Sequence, residues 1–275
     1  MNRLDGKVAV ITGASTPHGI GYATAEALAR EGASLLLVAD GTEEQLQSAA
    51  DACRALGGGG RVEAAAFDLG QSGSPESMIA KASELFGRID VLVNNAVMRA
   101  PAQFGEFSRE TFEHVIGVNI AAAFFASQAV VPLMKKQGGG RIIHVASQLG
   151  HVASPRQTLY GLTKAALIHL TKSMASELCT HNIIVNSVSP GPIATQPILD
   201  RLLPVTEAAG DGSIPGFHGN VDTSTPWNSD KVDMLPIARL GDAQEVADVI
   251  RYLSVESPGF LMGQDIVVDG GYLLR

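Results

Sequence analysis

Cysteine is scarce in this chain: Cys53 and Cys179 are the only two among 275 residues. They form no CxxC pair and are too few for a disulfide framework, which points to a reducing cytoplasm. Basic residues are also in deficit. Twenty Lys and Arg stand against 28 Asp and Glu, a formal charge of −8, and this argues against a nucleic-acid or anionic-membrane partner, because phosphate recognition wants positive patches. Metal-ligand spacing is missing too. The seven histidines are scattered and none sits at ligand spacing from another His or a Cys, so no metal is expected. No N-terminal stretch joins a basic start to an apolar run, since Met1 to Lys7 leads straight into a strand-like segment. The most apolar uncharged run, Val115 to Met134, contains Asn119, Ser127, Gln128 and Pro132. A membrane span needs roughly 20 mostly apolar residues, so this run reads as a buried helix. These absences leave a soluble, cytoplasmic, globular chain, whose length admits about one to two domains and a core that needs no metal or disulfide.

What the chain does have is a rhythm. Short apolar runs (Val8–Ile11, Ser34–Val38, Val62–Phe67, Val91–Val93, Arg141–Val145, Ile183–Asn186, Ile266–Val268) alternate with helical spacing around 20–30, 43–56, 74–86, 108–136, 158–178 and 243–254. Several strand runs are continuously apolar, as when helices cover both sheet faces. The expected class is therefore α/β: a Rossmann-like, doubly wound parallel sheet of about seven strands with helices on both faces. Ser108 and Ser74 read as helix starts, and Gly57–Gly60 and Gly138–Gly140 as turns before strands. No boundary interrupts 1–275, so one domain is expected. Residues 190–240 alone lose the period. Gly210-Asp211-Gly212, Pro215-Gly216 and Thr225-Pro226-Trp227 break them up, and a loop this long reads as a substrate-covering lid more readily than as an ornamental insertion.

The first strand runs into Thr12-Gly13-Ala14-Ser15-Thr16-Pro17-His18-Gly19-Ile20-Gly21. Small residues between a first strand and a first helix let backbone approach a phosphate, and the helix N-terminus adds N–H donors and a positive dipole end. The plain alternative is a tight strand-to-helix turn. Five residues separate Gly13 from Gly19, so this is not the ordinary G-x-G-x-x-G. After the second strand, Asp40 stands where an acidic side chain would accept from the adenosine ribose and repel a 2′-phosphate. With no Lys or Arg in the turn or just after Asp40, NAD is favoured over NADP. Asp40 as a simple turn residue in Asp40-Gly41-Thr42 is the competing reading.

Tyr160 and Lys164 are four apart and share one helix face. A tyrosine, ordinarily of pKa about 10, becomes usable as an acid or base when an ammonium stabilises its phenolate. Ser147, just past the strand ending Val145-Ala146, is placed to orient a substrate oxygen beside the phenol.

Together these residues resemble the short-chain dehydrogenase/reductase family, over nearly the whole chain. Thr12-Gly13…Gly19-Ile20-Gly21 resembles its cofactor turn, Asn94-Asn95-Ala96 its fourth-strand motif, and Ser147, Tyr160 and Lys164 its catalytic set. Pro190-Gly191 and Val268-Asp269-Gly270-Gly271 match its later motifs, and Asn119 falls on its helix asparagine. The resemblance implies interconversion of a secondary alcohol and a ketone by hydride transfer. Tyr160 would exchange the proton, Ser147 would polarise the substrate oxygen, and Asn119 would help hold a relay water. Lys164 would lower the phenol pKa and reach the nicotinamide ribose. The dinucleotide, NAD rather than NADP, would lie along Gly13, Ser15, Gly19, Ile20, Gly21, Asp40, Asp68, Leu69, Asn95, Ala96, Tyr160, Lys164, Pro190, Gly191, Ile193 and Thr195.

The chain departs from the family pattern in three places. Its cofactor turn is two residues longer than usual, so Thr16-Pro17-His18 should bulge outward. Val97 replaces the glycine that usually ends the fourth-strand motif, and Asp40 comes one residue late. The intact set Asn119, Ser147, Tyr160 and Lys164 favours an enzyme over a catalytically silent, cofactor-binding redox sensor of the same fold. It equally disfavours enoyl reduction or epimerisation. For substrate contact the candidates are Met98, Arg99, Gln148, His151, Gln157, Ile198 and Trp227, a mixture that suggests a polyol, sugar or hydroxy acid. Small apolar faces on 108–136 (Ala121, Ala122, Ala126) and 158–178 (Ala165, Ala166, Met174) suggest packing across a two-fold axis, and the family implies a homotetramer or homodimer.

Overall fold

The computed structural model describes residues 3–195 and 235–274. Most of the expected lid, with Ile198 and Trp227, lies outside the described residues. Seven strands form one sheet: β1 (Val8–Thr12), β2 (Ser34–Ala39), β3 (Val62–Ala66), β4 (Val91–Asn94), β5 (Gly140–Val145), β6 (Ile183–Pro190) and β7 (Asp265–Val268). Their order is β3-β2-β1-β4-β5-β6-β7, and every pairing is parallel. The chain thus starts in the middle of the sheet, winds outward to β3, then returns to pair β4 with β1. The two chain directions part between β1 and β4, the place where α/β sheets bind ligands.

Helices α1 (Ile20–Arg30), α2 (Glu43–Ala55), α3 (Ser74–Phe86), α4 (Arg109–Ile116), α5 (Ala122–Lys136), α6 (Thr158–Leu178) and α7 (Ala243–Val255) fill the crossovers. Successive strand residues feed opposite faces. Leu35 and Leu37 pack in one core with α1, α2 and α7, whereas Leu36 and Val38 pack in the other with α3 and α5. Two covered faces explain why β2 reads as an unbroken apolar run.

Three expectations need amendment. β6 continues through Pro190, all eight of its residues buried, although polar letters hide its second half. Asn186 satisfies itself on Leu261 and Gln264, and Ser187 on Asp265. The segment 108–136 is two helices joined by a π-helical turn, Gly117–Ala121. Finally, Ser108 caps α4 by accepting from Thr111, but Ser74 caps nothing: Gly73, at φ 79°, turns the chain into α3 and Pro75 opens it. Residues 109–136 are long and apolar enough to cross a bilayer, yet Ala122, Ala126, Val130 and Met134 bury against the sheet. This also moves Ala122 and Ala126 from the expected two-fold face into the core. The large outward apolar side chains there are Phe112, Phe124, Phe125 and, on α6, Leu162.

Candidate active site

The turn after β1 is built by exclusion. Gly13 sits at φ +67°, and a Cβ there would meet the Asn95 Nδ2 at 2.8 Å. A Cβ on Gly21 would come within 2.3 Å of the Gly13 carbonyl oxygen, so only hydrogen fits between turn and helix. Thr12 locks the turn to β4: its Oγ1 accepts the Asn95 and Ala96 N–H groups, each at 2.9 Å. Asn95 reciprocates, donating to the carbonyls of Thr12 and Gly13 at 2.8 and 3.0 Å. The extra turn residues close on themselves. Gly19 N–H donates to Thr16 C=O at 3.0 Å, His18 takes φ 58°, and Thr16, Pro17 and His18 stand exposed.

Gly19 precedes α1 without any side chain capping the helix. This uncapped helix end, at Gly19 and Ile20, lines an open cavity of about 300 Å³, an arrangement suited to a phosphate. Gly13, Ser15, Gly19, Ile20, Asp40, Asp68, Leu69, Asn95, Ala96 and Thr195 all line it. Asp68 is folded back on its own loop, accepting from Gln71 and Gly70, and those bonds hold its carboxyl below the usual range. A glycine cradle closed to any Cβ and an uncapped helix end fit a dinucleotide.

A second cavity, of about 370 Å³, shares Ile20, Asn95, Val97 and Thr195 with the first. Ser147, Gln148, Gln157, Tyr160, Lys164, Pro190, Gly191 and Ile193 line it. Val97 stands 47% exposed at the junction, so its side chain enters the passage that glycine leaves open in the family pattern. Tyr160 and Lys164 lie on α6, and Ser147 on the turn leaving β5. Lys164 is 2% exposed. Its ammonium donates to the Val145 carbonyl at 2.7 Å and lies 5.6 Å from the centre of the Tyr160 ring. Burial lowers the Lys164 pKa, against the neighbouring phenol. Burial would raise that of Tyr160, but Lys164, Arg99 and a hydrogen bond with Ser147 outweigh it, and the phenol sits below its ordinary value.

Not every expected residue reaches a cavity. Gly21 serves packing. Asn119 is buried on the π turn and spends its amide on the backbone of Met98, which draws the Met98 position away from the cavity wall. His151 turns to β7, 2.7 Å from Asp265. Thr163 escaped notice: its Oγ1 donates to the Tyr160 carbonyl at 2.7 Å and accepts from Asn119 at 3.1 Å. Its place one turn after Tyr160 on the same helix was the available signal.

Residues 7–200 match the family described as short chain dehydrogenase. The chain is 35% identical over 272 residues to the 3-oxoacyl-[acyl-carrier-protein] reductase FabG of Thermotoga maritima, covering 99% of this chain and all of that one. It is 36% identical over 276 residues to the oxidoreductase UcpA of Salmonella typhimurium, covering 100% and 97%. Among solved structures, acetoin dehydrogenase YohF from Salmonella typhimurium superposes with a TM-score of 0.80 at 33% identity, covering 98% of each chain. A short-chain dehydrogenase/reductase from Serratia marcescens gives a TM-score of 0.84 at 29% identity, over 98% of this chain and 99% of that one.

Proposed function

The chain belongs to the short-chain dehydrogenase family, and from that premise we propose that it interconverts a secondary alcohol and a ketone with NAD as the preferred dinucleotide. The family is one of NAD(P)-linked oxidoreductases acting on carbonyl and alcohol groups. The observation that carries the finer reading is Tyr160: a phenol 7% exposed, on a cavity that opens into the glycine cradle, with a buried ammonium beside its ring.

When bound, the dinucleotide supplies or takes up the hydride. The chain's own residues do the rest. Tyr160 Oη gives its proton to the carbonyl oxygen during reduction and takes it back during oxidation. Ser147 shares the same oxygen and fixes the angle of approach. Lys164, held by Val145, lowers the pKa of the phenol below its ordinary value. Asn119 acts through its neighbours rather than on substrate. Ser15 and Ile20 would hold phosphates by backbone N–H groups, while Gly13 and Gly19, whose own N–H groups bond the Val38 and Thr16 carbonyls, leave room for the phosphates to approach. Asp40, at the rim of that cavity, would accept from the ribose and disfavour a 2′-phosphate. The exposed Phe124, Phe125 and Leu162 seat a second copy in a dimer or tetramer; sedimentation showing only monomers would remove that element.

The decisive experiment replaces Tyr160 by Phe and follows reduced-cofactor absorbance against a panel of ketones and alcohols, with NADH and NADPH titrated by fluorescence. Turnover should vanish while NADH binding stays near that of the unaltered chain. Activity retained in Tyr160→Phe would remove the proton donor, and tighter binding of NADPH would remove the role given to Asp40.

A further inference from the structure

Among the described residues, the catalytic cavity is lined by two cations, Arg99 and Lys164, and by no carboxylate, in a chain whose formal charge is −8. Lys164 is committed, buried and bonded to Val145. Arg99 is not. Seven other arginines pair with Asp or Glu, whereas Arg99 forms no ion pair among the described residues. Its guanidinium carbon lies 4.4 Å from the centre of the Tyr160 ring, and its Nη2 donates to Tyr160 Oη at 3.2 Å. A guanidinium has five N–H donors in a planar fork, and one of them is accounted for by the phenol.

The placement of Arg99 is also prepared. The residue before it, Met98, is held by Asn119 at both its N–H and its carbonyl, and the guanidinium is stacked on an aromatic ring that α6 fixes. A cation so placed has lost part of its freedom before any ligand arrives, which favours bidentate binding of a carboxylate.

We propose that Arg99 is the substrate-carboxylate receptor, and that the substrates are oxo acids and their hydroxy-acid counterparts with the carboxylate on the reacting carbon or one carbon away. The assignment rests on the reaction proposed above. The geometry limits the spacing. With hydrogen bonds of about 2.7–3.0 Å from phenol to reacting oxygen and from guanidinium to carboxylate, the short Nη2–Oη separation leaves room for adjacent or next-but-one carbons, not for a distant acid. Gln148 and Gln157 also line the cavity, and the buried Gln157 Oε1 has no hydrogen-bond partner among the described residues.

The test compares 2-oxobutanoate with methyl 2-oxobutanoate, and 3-oxobutanoate with methyl 3-oxobutanoate, as substrates with NADH for the unaltered chain, Arg99→Gln and Arg99→Lys. The unaltered chain should prefer the acid in at least one pair. Arg99→Gln should lower the acid-over-ester ratio of kcat/KM roughly 10- to 100-fold, on top of any loss common to both through its bond to Tyr160, and Arg99→Lys should fall between, having charge without the fork. No preference for either acid, or equal losses on acid and ester, would overturn the assignment while leaving the alcohol–ketone reaction standing. If neither pair turns over, calorimetric titration of the NADH-loaded chain with 2-oxobutanoate separates the two claims. Binding abolished in Arg99→Gln would keep the carboxylate site and sink the reaction; no binding to the unaltered chain would sink the site.

Discussion

The Asn119 side chain clamps Met98 from both directions: its oxygen accepts the Met98 N–H at 2.7 Å and its nitrogen donates to the Met98 carbonyl at 3.0 Å. The same nitrogen donates to Thr163 at 3.1 Å, so one amide ties the loop after β4 to the helix that carries Tyr160. Asn119 is the buried residue of the π-helical turn, and such turns are frequent at functional sites.

Replacing Asn119 by Ala strips partners from the Met98 N–H and carbonyl and from Thr163. Stability should drop by about 1–3 kcal/mol, read as an earlier denaturant midpoint with an unchanged slope. Asn119→Asp should recover less than half of the loss, since a carboxylate can accept from Met98 but cannot donate to its carbonyl. A midpoint for Asn119→Ala equal to that of the unaltered chain would mean that the clamp carries no stability.

The pH dependence should follow the phenol. Oxidation needs the phenolate, so kcat/KM for the alcohol should rise with pH to a plateau reached below the ordinary tyrosine pKa of about 10. Reduction needs the phenol and should fall over the same interval. Removing the ammonium in Lys164→Met takes away the largest of the influences that lower this pKa, and should shift both limbs to higher pH. Limbs that stay in place in Lys164→Met would assign the titration to another group.

His144 offers a prediction of stability alone. It is wholly buried in β5, its Nδ1 accepts from Asn94 at 3.2 Å, and its Nε2 has no partner among the described residues. Burial, then the charge of Lys164, pushes its pKa down to about 4 from 6.5. The folded form thus binds its proton later than the unfolded chain does, so stability is whole above pH 6.5 and is lost as pH falls toward 4. The loss should be about 3 kcal/mol over that window. His144→Leu removes this component, so unfolding titrations at a series of pH values should show a shallower acid limb. Parallel limbs for the two proteins would remove His144 as the cause.

The sequence discloses this fold where local pattern and tertiary burial agree, and fails where a distant partner decides. β1 and β2 are legible because both faces of each are covered, leaving uninterrupted apolar letters. The second half of β6 is not, because Asn186 and Ser187 are satisfied by residues more than seventy positions later. His151 passes for a pocket residue for the same reason: Asp265, its partner, lies 114 residues on. The π turn leaves little trace, since its extra residue only displaces the apolar stripe by one position between two otherwise ordinary helices. Of the candidate site, the glycine turn and the Tyr160–Lys164 pair stand out through spacing alone. Arg99 is visible only as one polar residue among several, because its stacking on a ring 61 residues away has no signature in either segment.

Thr12 and Asn95, whose mutual bonds close the glycine cradle, are 83 residues apart in the chain, and β1 waits unpaired on that side until β4 arrives. Closing so long a loop is among the slow, entropically costly events of folding. The phosphate cradle is therefore completed by the pairing that joins the two halves of the sheet. On a ribosome, a nascent chain that has not yet exposed Asn95 has the glycines but no site. A dinucleotide present during refolding can then capture only chains that have already made this junction, and would stabilise them without hastening their formation.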